Sequence, residues 1–142
     1  RIDPLKCIQT LHSYLLYLLF YSQCKLNKYI SYMTKIKWTQ INSFDELLNL
    51  NKNYILLFKH SPRCIVSRIS LSRFELGFDT KINISKFVYI DVIKMRALSN
   101  EIAKVYSVYH ESPQIILFKD NNVIFQSSHS SISFSDLKNY VF

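Results

Sequence analysis

The apolar run Tyr54-Ile55-Leu56-Leu57-Phe58 passes through Lys59 into His60-Ser61-Pro62-Arg63-Cys64-Ile65-Val66-Ser67, and a helix-like stretch, Arg68 to Phe78, leads out. Unbroken apolar character over strand length marks a strand buried on both faces of a sheet. Pro62 disfavours helix at the residue before it, so the strand is expected to end in a turn. That leaves strand, turn and helix, with Cys64 at the junction. The first N–H groups of a helix lack intrahelical partners, and the helix dipole is positive at that end. A cysteine placed there is favoured as the thiolate, the form that carries out thiol chemistry.

The surrounding chain can support such a unit. Its 142 residues suggest one domain. At 49% hydrophobic and 15% aromatic, it has ample material for a core and is too apolar for disorder. The formal charge of +8 is scattered, with no block of five or six like charges. It reads as a solvated basic surface, and nucleic acid is not an expected partner. Of Cys7, Cys24 and Cys64, only Cys64 lies in what reads as the folded body. One thiol there cannot build a disulfide scaffold or a four-ligand zinc site. No metal is expected, since no His/Cys/Asp/Glu pair has convincing ligand spacing. With Gly77 as the one glycine, there is no glycine-rich phosphate loop. A reducing cytoplasm is the expected setting.

Residues 1–32 read differently. Leu15-Leu16-Tyr17-Leu18-Leu19-Phe20-Tyr21 is an apolar run too short for a bilayer, which needs about 20 such residues. No small-x-small cleavage site follows it. Residues 1–32 are expected to be an N-terminal extension that need not belong to the native protein, with residues 33–142 forming the domain. A membrane-surface helix or a cleaved export signal are the other readings of the extension. No stable membrane insertion is expected.

From Met33 the chain alternates. Asn42 or Ser43 can cap a short helix carrying Phe44, Leu47, Leu48 and Leu50, with acids in its first turn. Tyr54–Lys59 is the first strand. From Cys64, the apolar positions Ile65, Val66, Ile69, Leu71, Phe74 and Phe78 suit a helix of about fifteen residues that ends near Gly77. Phe87-Val88-Tyr89-Ile90-Asp91-Val92 is a second strand, and Ser99 can cap a helix carrying Ile102, Ala103, Val105 and Tyr106. Ile115–Phe118, the turn Asp120-Asn121-Asn122 and Val123–Phe125 make a hairpin. Ser133 or Ser135 can cap a last helix with Phe134, Leu137, Tyr140 and Val141. The expected architecture is α/β, a central mixed four-stranded sheet flanked by helices in the order α-β-α-β-α-β-β-α. Strands joined through helices imply parallel pairing with right-handed crossovers. This is the thioredoxin-like order, although order alone leaves other α/β folds open.

From Trp38 onward the chain resembles the YtxJ-like monothiol bacilliredoxins. These are thioredoxin-fold proteins of bacteria that use the small thiol bacillithiol. Three stretches carry the resemblance: Phe58-Lys59-His60-Ser61-Pro62-Arg63-Cys64-Ile65-Val66-Ser67, Arg73-Phe74-Glu75, and Tyr109-His110-Glu111-Ser112-Pro113-Gln114 with His129 and Ile132-Ser133 beyond. Ile65 stands where the family often has proline or a small residue. In Ser128-His129-Ser130-Ser131, serine follows the histidine where glycine is commoner.

Cys64 is the candidate nucleophile, with Arg63 and His60 as thiolate-supporting neighbours. Ser67 occupies the place of a dithiol enzyme's second cysteine. From there it can face the first turn and donate a hydrogen bond to the Cys64 sulfur. A Cys-x-x-Ser site cannot close an internal disulfide, so a mixed disulfide on Cys64 persists until another thiol attacks. The resemblance implies a cis proline at Pro113, with Ser112 offering backbone groups to an extended substrate and Glu111 and His110 touching the thiol ligand. It also implies the reaction, removal of bacillithiol from S-bacillithiolated proteins through a Cys64–S–S–bacillithiol intermediate. Bacillithiol is then a co-substrate, no cofactor is tightly bound, and free bacillithiol or a disulfide reductase regenerates the thiol. A basic surface of Arg63, Lys59 and Arg68 would suit a thiol bearing carboxylates. The alternatives are a non-catalytic thioredoxin-like binding module and a thiol-based redox sensor.

Overall fold

The computed structural model describes residues 35–50 and 53–141. Expectations for residues 1–32, including Cys7 and Cys24, lie outside the described residues. In chain order the elements are β1 (Trp38–Gln40), α1 (Phe44–Asn49), β2 (Tyr54–His60), α2 (Ile65–Leu76), β3 (Lys86–Asp91), α3 (Arg96–Val105), β4 (Gln114–Lys119) and β5 (Asn122–Ser128). Two 3₁₀ turns follow, His129–Ser131 and Ser135–Asn139.

The strands form one five-stranded sheet in the order β1-β3-β2-β4-β5. β1 and β2 run parallel to β3, β4 is antiparallel to β2, and β5 is antiparallel to β4. The α/β thioredoxin-like reading holds, with one strand more than expected. The added strand is Trp38–Gln40, three residues at a sheet edge. A strand that short shows no alternation, and Trp38 is held by aromatic rings from elsewhere in the sequence. Its ring meets Phe58 at 5.8 Å and Phe87 at 5.9 Å, both edge-on, and its indole Nε1–H donates to Glu75 Oε1 at 2.7 Å.

β2 is the centre, paired on both sides and buried along nearly its whole length. Its side chains alternate between two cores. Ile55 and Leu57 join Leu47 of α1 and Leu98, Ile102 and Ala103 of α3 on one face. Leu56 and Phe58 join Phe74 of α2 with Ile132, Phe134, Leu137 and Val141 on the other. Each fully buried side chain of this size contributes roughly 1.5–3 kcal/mol, so β2 anchors both layers at once.

The helices depart from expectation at their ends and faces. Ser43 does cap α1, its Oγ accepting the Glu46 N–H at 3.2 Å. α2 spans 12 residues rather than about fifteen. It turns Ser67, Ser70 and Phe74 inward, while Ile65, Val66 and Ile69 are 57%, 46% and 58% exposed. Ser67 and Ser70 take the inward positions of the first turns, so Ile65, Val66 and Ile69 face outward while Leu71, Phe74 and Phe78 of the same expected stripe pack against the core. α3 starts at Arg96 rather than after Ser99. The Asp91 carboxylate accepts the Ile93 and Lys94 N–H groups and its carbonyl accepts the Met95 N–H, so the turn out of β3 winds directly into helix. Ser99 is therefore a buried residue inside α3, not its cap. The expected last helix is a 3₁₀ turn, Ser135–Asn139, and Ser133 Oγ accepts the Ser135 N–H at 3.3 Å. Among the described residues, no helix is long and apolar enough to cross a membrane.

Candidate active site

The β2–α2 turn is tied at both ends. The Cys64 N–H donates to the Ser61 carbonyl at 3.0 Å, and the Cys64 carbonyl accepts the Arg68 N–H at 3.1 Å. Cys64 is the N-cap residue of α2, in extended conformation with φ −93° and ψ 122°. It is a free, partly exposed thiol at the first turn of a helix. Arg63 and Pro62 beside it are exposed.

Ser67 does not serve the sulfur as expected. Its side chain is fully buried, and its Oγ accepts the Ser61 N–H at 3.0 Å and lies 2.7 Å from His60 Nδ1. Both bonds brace the turn from below. The serine satisfies both partners when its own O–H donates to Nδ1 and the neutral imidazole carries its proton on Nε2. Burial lowers the His60 pKa below its ordinary value, with Arg68 acting the same way and Asp91 and the Ser67 bond opposing. His60 is thus a buried ring that locks the turn, packed against Tyr89 with ring centroids 5.5 Å apart.

Lys59 corrects another expectation. It is fully buried rather than part of a basic surface. Side chains alternate along a strand, so with His60 facing α2, Lys59 faces α3, where its Nζ donates to the Ser99 carbonyl at 3.2 Å. Burial pushes its pKa down to about 8. Arg63 and Arg68 remain as exposed cations near Cys64.

The second wall comes from the segment before β4. Lys59 is registered opposite Gln114, so Ser112-Pro113 lies at the sheet end where β2 enters the Cys64 turn. The Ser112–Pro113 peptide is cis and Pro113 is buried. The Pro113 carbonyl accepts the His129 N–H at 3.0 Å. The His129 carbonyl in turn accepts from Ser70 Oγ at 3.1 Å, and Arg73 Nη2 donates to the Ser130 and Ile132 carbonyls at 2.8 and 3.1 Å. α2 therefore holds the His129 turn, and that turn holds the proline. Ser70 and Arg73 are the positioning residues that sequence reasoning missed, although Arg73 stands in one of the three resembling stretches.

Glu111 and His110 are both engaged within the protein. Glu111 Oε1 lies 3.6 Å from His129 Nε2, which is an ion pair when the histidine is protonated. His110 Nδ1 lies 3.3 Å from Ser99 Oγ. Burial lowers the His110 pKa, with the Lys59 and Arg96 charges acting the same way and the Ser99 bond opposing. Gln114 Nε2 donates to the Tyr109 carbonyl at 2.8 Å. Ser112 Oγ is buried and has no hydrogen-bond partner among the described residues. A buried hydroxyl left unpaired is costly.

The one cysteine among the described residues, at a helix start, with a serine three residues on and a cis proline at the adjoining strand end, is the arrangement of a thioredoxin-fold thiol oxidoreductase. The sequence pattern of one family, Monothiol bacilliredoxin BrxC, matches residues 36–137, and the chain belongs to that family. Solved structures agree on the fold. One protein, described as an oxidoreductase with a thioredoxin fold, is 27% identical with a TM-score of 0.64, over 72% of this chain and 91% of that one. A mutant thioredoxin from Halobacterium salinarum NRC-1 is 19% identical with a TM-score of 0.55, over 74% of this chain and 88% of its own. Mitochondrial thioredoxin 3 from Saccharomyces cerevisiae is 18% identical with a TM-score of 0.54, over 77% and 94%.

Proposed function

We propose that this protein removes bacillithiol from protein mixed disulfides, with Cys64 as the nucleophile and the cytoplasm as the setting. The observation that carries the reading is the pairing of a partly exposed Cys64, the one cysteine among the described residues, at the start of α2 with Ser67 where a second thiol would stand. The Cys64 thiolate attacks the bacillithiol sulfur of a protein–S–S–bacillithiol disulfide. One S–S bond forms as the other breaks, and the released protein thiolate takes a proton from solvent. A second thiolate, from bacillithiol or a reductase, then attacks the sulfur on Cys64 and restores it. Ser67 cannot compete for that sulfur, so the intermediate waits for an outside thiol.

Several features support substrate binding. The exposed Ile65, Val66 and Ile69 offer apolar contact to a protein substrate beside Cys64. The backbone of Ser112-Pro113, at the sheet end where β2 enters the Cys64 turn, offers hydrogen-bonding groups to an extended substrate segment. Arg63 and Arg68 suit a ligand bearing carboxylates.

The test is intact-mass spectrometry of the protein mixed with oxidised bacillithiol, with peptide mapping of the adduct. One bacillithiol on Cys64, removed by free thiol and absent in Cys64→Ser, is the expected result. De-thiolation of a model mixed disulfide at the wild-type rate by Cys64→Ser would leave a binding module. An adduct that free bacillithiol cannot remove would point to a sensor.

A further inference from the structure

β2 and β3 are parallel neighbours, yet the chain leaves them toward opposite faces. β2 passes into α2, on the Phe58 and Phe74 side, and β3 passes into α3, on the Leu57 and Ile102 side. Where adjacent parallel strands send their chains apart, a crevice opens beyond their carboxyl ends, and ligands of α/β proteins bind in such crevices. A cavity of about 420 Å³ lies there. Pro62 of the Cys64 turn forms one wall, Tyr89 and Asp91 form the β3 side, and Gln40 and Asn42 close it from the end of β1. Lys94 and Met95 complete it from the β3–α3 turn. Its size falls in the small-ligand range of about 300–1,000 Å³.

The lining specifies a ligand. It holds two primary amides, a phenol, one carboxylate and one ammonium, against Pro62 and Met95 as the apolar contacts. Asp91 is preorganised, because the Ile93 and Lys94 N–H groups at 2.9 and 3.2 Å fix its Oδ1. Tyr89 links the cavity to the turn through its packing on His60. Such a set suits a hydroxylated ligand that carries both an amine and an acid, not a hydrocarbon.

We propose that this crevice receives the amino-sugar and dicarboxylate part of the small thiol while its sulfur is bonded to Cys64, a proposal that rests on the de-thiolation reading above. The amides of Gln40 and Asn42 meet sugar hydroxyls, Lys94 meets a carboxylate, and Asp91 meets an amine. The protein substrate then occupies the cis-proline side of Cys64 and the small thiol the β3 side. Sulfur exchange needs attacking, central and leaving sulfurs in line, and two separate bays provide for that.

The experiment compares two adducts of the full chain, in a Cys7→Ser, Cys24→Ser background, by NMR. One carries bacillithiol on Cys64 and the other carries mercaptoethanol, which has no sugar or acid. With bacillithiol, the side-chain amide signals of Gln40 and Asn42 and the Met95 methyl signal are expected to shift. With mercaptoethanol, shifts are expected to stay near Cys64. Lys94→Glu is expected to slow labelling of Cys64 by bacillithiol disulfide about three- to tenfold relative to labelling by the neutral hydroxyethyl disulfide. A bacillithiol adduct that leaves Gln40, Asn42 and Met95 unmoved overturns the crevice proposal and spares the de-thiolation reading. So does a Lys94→Glu variant that keeps the wild-type ratio. If mercaptoethanol labels Cys64 and bacillithiol does not, the de-thiolation reading fails and the crevice assignment falls with it.

Discussion

Ser67 Oγ stands 2.7 Å from His60 Nδ1 and also accepts the Ser61 N–H at 3.0 Å. The side chain at the place of a second thiol thus ties the end of β2 to the start of α2 from inside. Ser67→Ala leaves the buried His60 Nδ1 and the part-buried Ser61 N–H without this partner, and the loss at a buried group costs about 1–3 kcal/mol. The thermal midpoint is expected to fall by about 4–8 °C for each kcal/mol in a domain of this size. An unchanged midpoint would show that the turn stands without this serine.

His60 and His110 set the acid side of the stability profile. Burial is the first cause of the lowered value in both, so the unfolded chain takes up protons before the folded one does. Their contribution is complete above the unfolded histidine value, about 6.5, and is lost as pH falls below it. Urea denaturation is expected to show falling stability from about pH 7 to pH 5. His60→Gln should remove part of that slope, and the wild-type slope in this variant would exclude His60 as a cause.

Lys59 acts on the alkaline side. With its value pushed down to about 8, it is largely charged in both states at pH 7, and the buried charge costs stability there. Between about pH 8 and 9.5 the unfolded chain holds a proton that the folded chain has released, so this lysine makes stability rise with pH. Tyr89 and Tyr106, both raised by burial, work against stability at still higher pH. Lys59→Met is expected to stabilise the protein at pH 7 by on the order of 1–2 kcal/mol and to abolish the rise. Loss of stability instead would mean that the bond to the Ser99 carbonyl outweighs the buried charge.

Gly77 caps α2 with φ −81°, a conformation open to any residue. Its role is space, since a Cβ there would meet Phe134 Cβ at 3.0 Å. Alanine usually stabilises relative to glycine by up to about 1 kcal/mol, but here overpacking is expected to reverse the sign and cost about 1–2 kcal/mol. A chemical-denaturation midpoint that rises in Gly77→Ala would show that Phe134 can yield.

What the sequence made legible was whatever depends on strong local signals. The unbroken apolar run of β2, Pro62 and the Asp120-Asn121 turn, with φ 47° and 67°, were enough to place strands, the thiol turn and the hairpin. Contacts between distant residues were not legible. β1 exists because Trp38 docks on Phe58 and Phe87, and α3 begins early because Asp91 organises the preceding turn. α2 misled for a related reason. Its pattern groups Ile65, Val66 and Ile69 with Phe74, but does not show that Ser67 and Ser70 have partners in His60 and the His129 turn that hold them inward beside Phe74. The same applies to Lys59, whose burial follows from strand alternation and from the Ser99 carbonyl, 40 residues away.

The sheet order has a consequence for how the chain is born. The strand that ends at the Cys64 turn, Tyr54–His60, finds one neighbour in Lys86–Asp91 and the other in Gln114–Lys119. As synthesis proceeds from the N-terminus, the thiol emerges well before either flanking strand. Pairings this far apart in sequence form slowly, because loop closure precedes the contacts that reward it. During that interval Cys64 is an ordinary cysteine on a nascent chain, open to the same small-molecule disulfides as any other. Its place between the cis-proline segment and the start of α2 exists only once the hairpin has left the ribosome and closed on the central strand.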